Sequence, residues 1–193
     1  MTHPGTIFLA NGIRTHGENN IDRLLRPLED LGHRVVDLYY KKVYSWHVYS
    51  RTKQLKIAHA LKNQILPHPQ PWYIAAHSFG CLLSRRLMQI NVTFTSAHLF
   101  GAADDDETYY PREQAERIHV YYNQKDRALL FGSLLFRHDF GPLGRVGYNG
   151  PDDSRIVGLR RDFMYNRPWS TDHNWFTEPM LSRWVDLIHK DCQ

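Results

Sequence analysis

The sequence predicts an α/β fold, a three-layer sandwich built on a mostly parallel sheet of about five or six strands. Three observations predict it. Short apolar runs of strand length alternate with segments of 11–13 residues whose apolar positions recur at helical spacing. No repeat and no linker-like stretch divides the 193 residues, so a single domain over 1–193 is expected. A serine stands between the third strand and the helix after it, with small residues two positions to either side. Parallel strands require crossover connections, and helices that cross over cover both faces of the sheet.

Each element has its own signal. Thr6–Ala10 is a short apolar strand closed by the turn dipeptide Asn11-Gly12. Over Asn20–Leu31, Ile21, Leu24, Leu25, Leu28 and Leu31 share one helical face, with Asn19 or Asn20 as N-cap and Gly32 as the stop. Arg34–Tyr40 reads as a strand through Val35, Val36 and Leu38, and Tyr39–Tyr49 as an aromatic, irregular stretch. Leu55–Leu66 is a helix ended by Pro67-His68-Pro69-Gln70-Pro71. Strand Tyr73–Ala76, helix Gly80–Ile90 and strands Thr95–Phe100 and Arg117–Tyr122 follow. Arg137–Ser154 is rich in glycine and proline and reads as a loop. A last strand over Arg155–Leu159 and a helix over Glu178–Lys190 close the chain.

Composition narrows the function classes. Hydrophobic residues at 42% and charged residues at 23% suit a chain that buries a core. The net charge of +4 comes from basic residues spread along the chain in short runs such as Arg85-Arg86 and Arg160-Arg161, so no nucleic-acid partner is expected. Two cysteines, Cys81 and Cys192, cannot supply a disulfide framework. No apolar run nears the roughly 18 residues of a membrane span, and Met1–Gly5 lacks a basic leader, so a cytoplasmic location is expected. No cofactor is expected. The Asp/His groupings show no H-E-x-x-H or C-x-x-C spacing, so no metal is expected either.

The chemistry centres on Ala76-His77-Ser78-Phe79-Gly80. A serine on a sharp strand-to-helix turn projects its hydroxyl above the sheet, and small flanking residues let the turn close. This turn resembles the nucleophile elbow of α/β-hydrolases, with Ala76 where glycine is usual. The whole chain from 6 to 190 is similar to the compact, cutinase-sized form of that superfamily, and the N-terminal antiparallel strands of a full α/β-hydrolase are missing. Residues 118–147, with Asp126-Arg127-Ala128-Leu129 and Gly144-Arg145-Val146-Gly147, resemble a group of uncharacterised bacterial α/β-hydrolases.

The resemblance implies the chain order Ser, acid, His, with the acid after a late strand and the histidine before the last helix. Ser78, Asp126 and His173 meet these placements at separations of 48 and 47 residues. Asp104, after the preceding strand, is the alternative acid. Phe79 and either Gly12 or Ile13 would donate the oxyanion-binding amides. Arg14, Thr15 and His16 follow at the cleft edge, and His77 is expected to be structural. The expected activity is a serine hydrolase acting on carboxylic esters of small-molecule or acyl type. A thioesterase or amidase using the same three residues, and a non-catalytic binding scaffold, stay open. Residues 127–154, with apolar Leu129, Leu130, Phe131, Leu134, Leu135 and Phe136, are a candidate flap or cap beside the mouth, or core under the last strand.

Overall fold

A computed structural model describes residues 5–13, 20–40, 50–104, 110–126, 129, 143–150, 155–160, 175–177 and 180–193. Six strands form one sheet: β1 (Thr6–Ala10), β2 (Arg34–Leu38), β3 (Trp72–His77), β4 (Phe94–Phe100), β5 (Ala115–Tyr122) and β6 (Ile156–Arg160). Their order is β2-β1-β3-β4-β5-β6 and every pair is parallel. The helices are α1 (Leu25–Asp30), α2 (Arg51–Ile65), α3 (Phe79–Gln89), the single turn α4 (Leu143–Val146) and α5 (Met180–Asp191). The strand order is that of the α/β-hydrolase fold in compact form.

Strand alternation sorts the core into two layers. Phe8, Ala10, Ile74, Ala76, Ala97 and Leu99 face α2 and α3, where Ala58, Leu61, Leu82, Leu83 and Leu87 meet them. Ile7, Leu9, Tyr73, Ala75, Phe100 and Tyr121 face the other way, onto Leu28 of α1 and Trp184, Val185 and Ile188 of α5. Helices on both faces hide the parallel sheet from water, which is why its central strands read as continuous apolar runs.

Local chemistry moves several boundaries. The segment expected as one helix over Asn20–Leu31 divides into a 3₁₀ turn, Ile21–Leu24, and α1. Pro27 has no N–H to give the carbonyl four residues back, so the α ladder cannot run through the first turn. Helix α2 begins at Arg51, four residues before the expected Leu55. Its polar first turn is held because Gln54 is buried and accepts from Arg86 Nε at 2.8 Å. Helix α3 ends where Asn91 turns left-handed (φ 63°) and the Val92 N–H closes onto the Leu87 carbonyl at 3.0 Å. Within the stretch read as a loop, Leu143–Val146 is helical and Leu143 is fully buried. Among the described residues, no helix is long and apolar enough to cross a membrane.

Candidate functional site

The connections leave β1 toward one sheet edge and β3 toward the other. The crevice at the carboxyl ends of these two neighbouring strands is therefore the place where an open α/β sheet offers a ligand site. Ser78 stands there, between β3 and α3, with φ 55° and ψ −118°. A non-glycine residue at that backbone angle costs on the order of 1–3 kcal/mol and persists only where its surroundings hold it. Here the Ser78 N–H donates to the Phe100 carbonyl at 3.0 Å, and its own carbonyl accepts from Cys81 at 3.1 Å and Ala103 at 3.3 Å. The end of β4 thus clamps the turn.

Gly80 sets the other contact. A Cβ there would lie 2.1 Å from the Ala10 carbonyl oxygen and 2.7 Å from that of Asn11. The first turn of α3 consequently lies directly on the end of β1, beside the Asn11-Gly12-Ile13 turn. Amides at a helix start have no acceptor within the helix, and Phe79 is the first residue of α3. Gly12 is buried and Ile13 is half-buried against the core. Tyr40 holds this turn: its hydroxyl donates to the Asn11 carbonyl and lies 3.3 Å from that of Gly12, and its ring meets Phe79 edge-on at 6.3 Å. Asn11 Nδ2 donates to Asp37 Oδ1 at 3.1 Å. Burial pushes the Tyr40 phenol well above its ordinary range, so it remains a donor. Tyr40 and Asp37 carry no motif, and only their position at the carboxyl end of β2 could have suggested them.

The two candidate acids are held differently. Asp126 is fully buried in the turn after β5, where its N–H donates to the Asn123 carbonyl at 2.9 Å and its Oδ1 accepts the Leu129 N–H at 3.0 Å. Asp104, also fully buried, pairs with Arg85 at 2.6 Å and receives the Tyr110 hydroxyl at 3.3 Å. The Gly144-Arg145-Val146-Gly147 stretch braces the acid turn. The Gly144 carbonyl accepts from Asn123 at 2.8 Å and its N–H donates to Ala102 at 2.9 Å, while a Cβ at Gly144 would sit 2.4 Å from the Ala102 nitrogen.

His173 lies outside the described residues, as do Arg14, Thr15, His16, Arg127, Ala128, Leu130, Phe131, Leu134, Leu135 and Phe136. Trp175 and Phe176, just after His173, are fully buried beside the elbow. Phe176 meets His77 edge-on at 5.4 Å, and Trp175 packs on Phe100 at 6.2 Å. Trp184 Nε1 donates to the Trp175 carbonyl at 2.7 Å and Arg23 to that of Phe176 at 2.5 Å. Of the apolar residues in the 127–154 stretch, Leu129 and Leu143 are buried, as core residues are. Burial raises the Cys81 thiol far above its usual range, and its Sγ lies 3.3 Å from the Ala76 carbonyl, so it packs as a small hydrophobe.

Away from this crevice the structure brings together His98, His119 and Asp191, residues from three elements that no sequence spacing connects.

No family model matches the chain, and no curated protein matches it. Solved structures do. One, from Xanthomonas campestris pv. campestris, is provisionally described as a hydrolase of the alpha/beta superfamily. It is 12% identical, with 96% of this chain and 99% of that chain aligned at a TM-score of 0.50. Another, from Pectobacterium atrosepticum, is provisionally described as a YdeN-like hydrolase and is 13% identical. That alignment covers 96% of this chain and 91% of that one at a TM-score of 0.49. At 12% identity the likeness to the Xanthomonas structure is one of fold.

Proposed function

We propose that this chain is a serine hydrolase acting on carboxylic esters, with Ser78 as nucleophile, His173 as general base and Asp126 as the acid that orients it. The observation that carries the reading is the strained Ser78 backbone, held at the switch point of the sheet on the first turn of α3. A turn kept at that cost presents its side chain rather than its packing. Ser78 retains 8% exposure while its backbone is clamped.

In this mechanism Ser78 Oγ attacks the acyl carbon as His173 takes its proton. The tetrahedral oxyanion is met by the Phe79 N–H and that of Gly12 or Ile13. Collapse expels the alcohol, protonated by His173, and a water activated by the same imidazole releases the acid. Two observations support the remaining roles. Trp175 is pinned under the crevice, and the two residues from His173 to Trp175 span at most about 7 Å. Asp104 already neutralises Arg85, whereas Asp126 accepts the Leu129 amide in the turn after β5.

Labelling with a fluorophosphonate tests the reading without knowledge of the substrate. Wild type should label at one site, Ser78→Ala should not label, and p-nitrophenyl acetate hydrolysis should disappear with the label. Undiminished labelling of Ser78→Ala removes Ser78 from the mechanism.

A further inference from the structure

On the α5 side of the sheet, three potential ligands converge where the C-terminal turn of α5 meets the middle of β4 and β5. His98 and His119 are register partners on these strands, and their rings stack at 4.5 Å with 8° between the planes. Stacking points both Nε2 atoms the same way, toward Asp191 Oδ2. The separations are 3.1 Å from His98 and 2.6 Å from His119. Close as they are, His119 Nε2 and Asp191 Oδ2 are both buried without a well-formed hydrogen bond. Buried polar atoms left so are costly unless something else satisfies them.

We propose that His98 Nε2, His119 Nε2 and Asp191 Oδ2 form a zinc site that clamps the end of α5 to β4 and β5. Two imidazoles and a carboxylate are a donor set suited to that ion. All three ligating atoms lie within 4.8 Å of one another. Tetrahedral bonds of about 2.0–2.1 Å put ligand atoms about 3.3 Å apart, so the ion needs the His119–Asp191 contact to open by about 0.7 Å. The supports around the ligands are also in place. Tyr121 Oη lies 2.8 Å from His98 Nδ1 and can accept its proton, which fixes the tautomer with a free Nε2 lone pair. Arg117 takes the other carboxylate oxygen, Oδ1, at 2.8 Å and leaves Oδ2 for the metal. The Ser96 hydroxyl, 3.3 Å from His98 Nε2, or a water completes the coordination. His119 and Asp191 are partly buried as residues, at the edge of the protein rather than in its centre.

The test uses the untagged full chain, stripped with a chelator and titrated calorimetrically with zinc chloride. One equivalent should bind with a dissociation constant of about 1 µM or tighter, and the melting temperature should rise by several degrees. Asp191→Asn and His119→Ala should each weaken binding about tenfold or more. His59→Ala, on an exposed face of α2, should not. His33→Ala removes the other close imidazole pair, His33 with His189 at 2.7 Å, and should also leave the affinity unchanged. Cobalt in place of zinc should give a tetrahedral visible spectrum in wild type that His119→Ala loses; circular dichroism establishes that each variant is folded, with His119→Gln replacing any that is not. Absence of saturable one-to-one binding, or an affinity that follows His33 instead of His119 and Asp191, overturns the proposal.

Discussion

At the scale of single residues, Ser78 is where stability and the proposed chemistry oppose each other. Its positive φ is easy for glycine and costly for serine. Ser78→Gly should therefore stabilise the fold by about 1 kcal/mol while abolishing fluorophosphonate labelling, a combination that urea denaturation and labelling read together. Ser78→Ala keeps the strain and should melt within a few degrees of wild type. The two acids separate along the same axes. Asp126→Asn keeps an oxygen for the Leu129 amide, so stability should change little while turnover falls by orders of magnitude, up to about 10⁴. Asp104→Asn breaks a buried pair with Arg85 and should cost about 3–5 kcal/mol of stability, with a much smaller loss of turnover per folded molecule. The opposite ranking in turnover would move the orienting role to Asp104.

At the scale of elements, the crevice depends on how closely α3 approaches β1. Gly80→Ala offers a gain of about 1 kcal/mol in helix propensity. Against it stands a Cβ placed 2.1 Å from a backbone oxygen that has no free side chain to swing away. The clash should win, with a net destabilisation of about 1–3 kcal/mol. The displaced helix start should also slow labelling of Ser78, which a time course at low reagent concentration measures. Strand β5 and the short α4 form the second such unit, because Gly144 ties the Asp126 turn to the end of β4 through two backbone hydrogen bonds. The glycine-rich motif was legible in the sequence. Its function as a brace was not, since nothing local tells which backbone the absent side chain admits.

At the scale of the whole molecule, α5 couples the core to the crevice. Trp184 packs on Tyr121 at 4.8 Å and Phe100 at 5.2 Å, and its indole N–H holds the Trp175 carbonyl just beyond His173. Trp184→Ala should cost about 3–5 kcal/mol, lowering the melting temperature by roughly 10 °C. Trp184→Phe keeps most of the packing and loses the hydrogen bond. Esterase turnover should then fall more than stability does, a split that thermal melts and initial rates would show. Equal small losses in both would mean that the 175–176 segment is held without that bond.

What the sequence by itself determined is what short-range physics encodes. The alternation of strand and helix periods gave the layer architecture, since burial of one stripe or both faces leaves a pattern of period 2, 3.6 or neither. The strand–Ser78–helix turn was readable because its steric demands fall on residues within two positions, and the turn that holds Asp126 because it closely follows a strand. Only the tertiary structure decided which distant groups serve them. Tyr40 on the Asn11–Gly12 turn, Arg85 on Asp104 and Gly80 on Ala10 are contacts that any sequence pattern leaves open. The His98–His119–Asp191 cluster is the extreme case: Asp191 is 93 and 72 residues from its partners. Strand register sets the two histidines side by side, and the length of α5 brings the carboxylate to them; both are fixed by packing across the whole sheet, which no local spacing records.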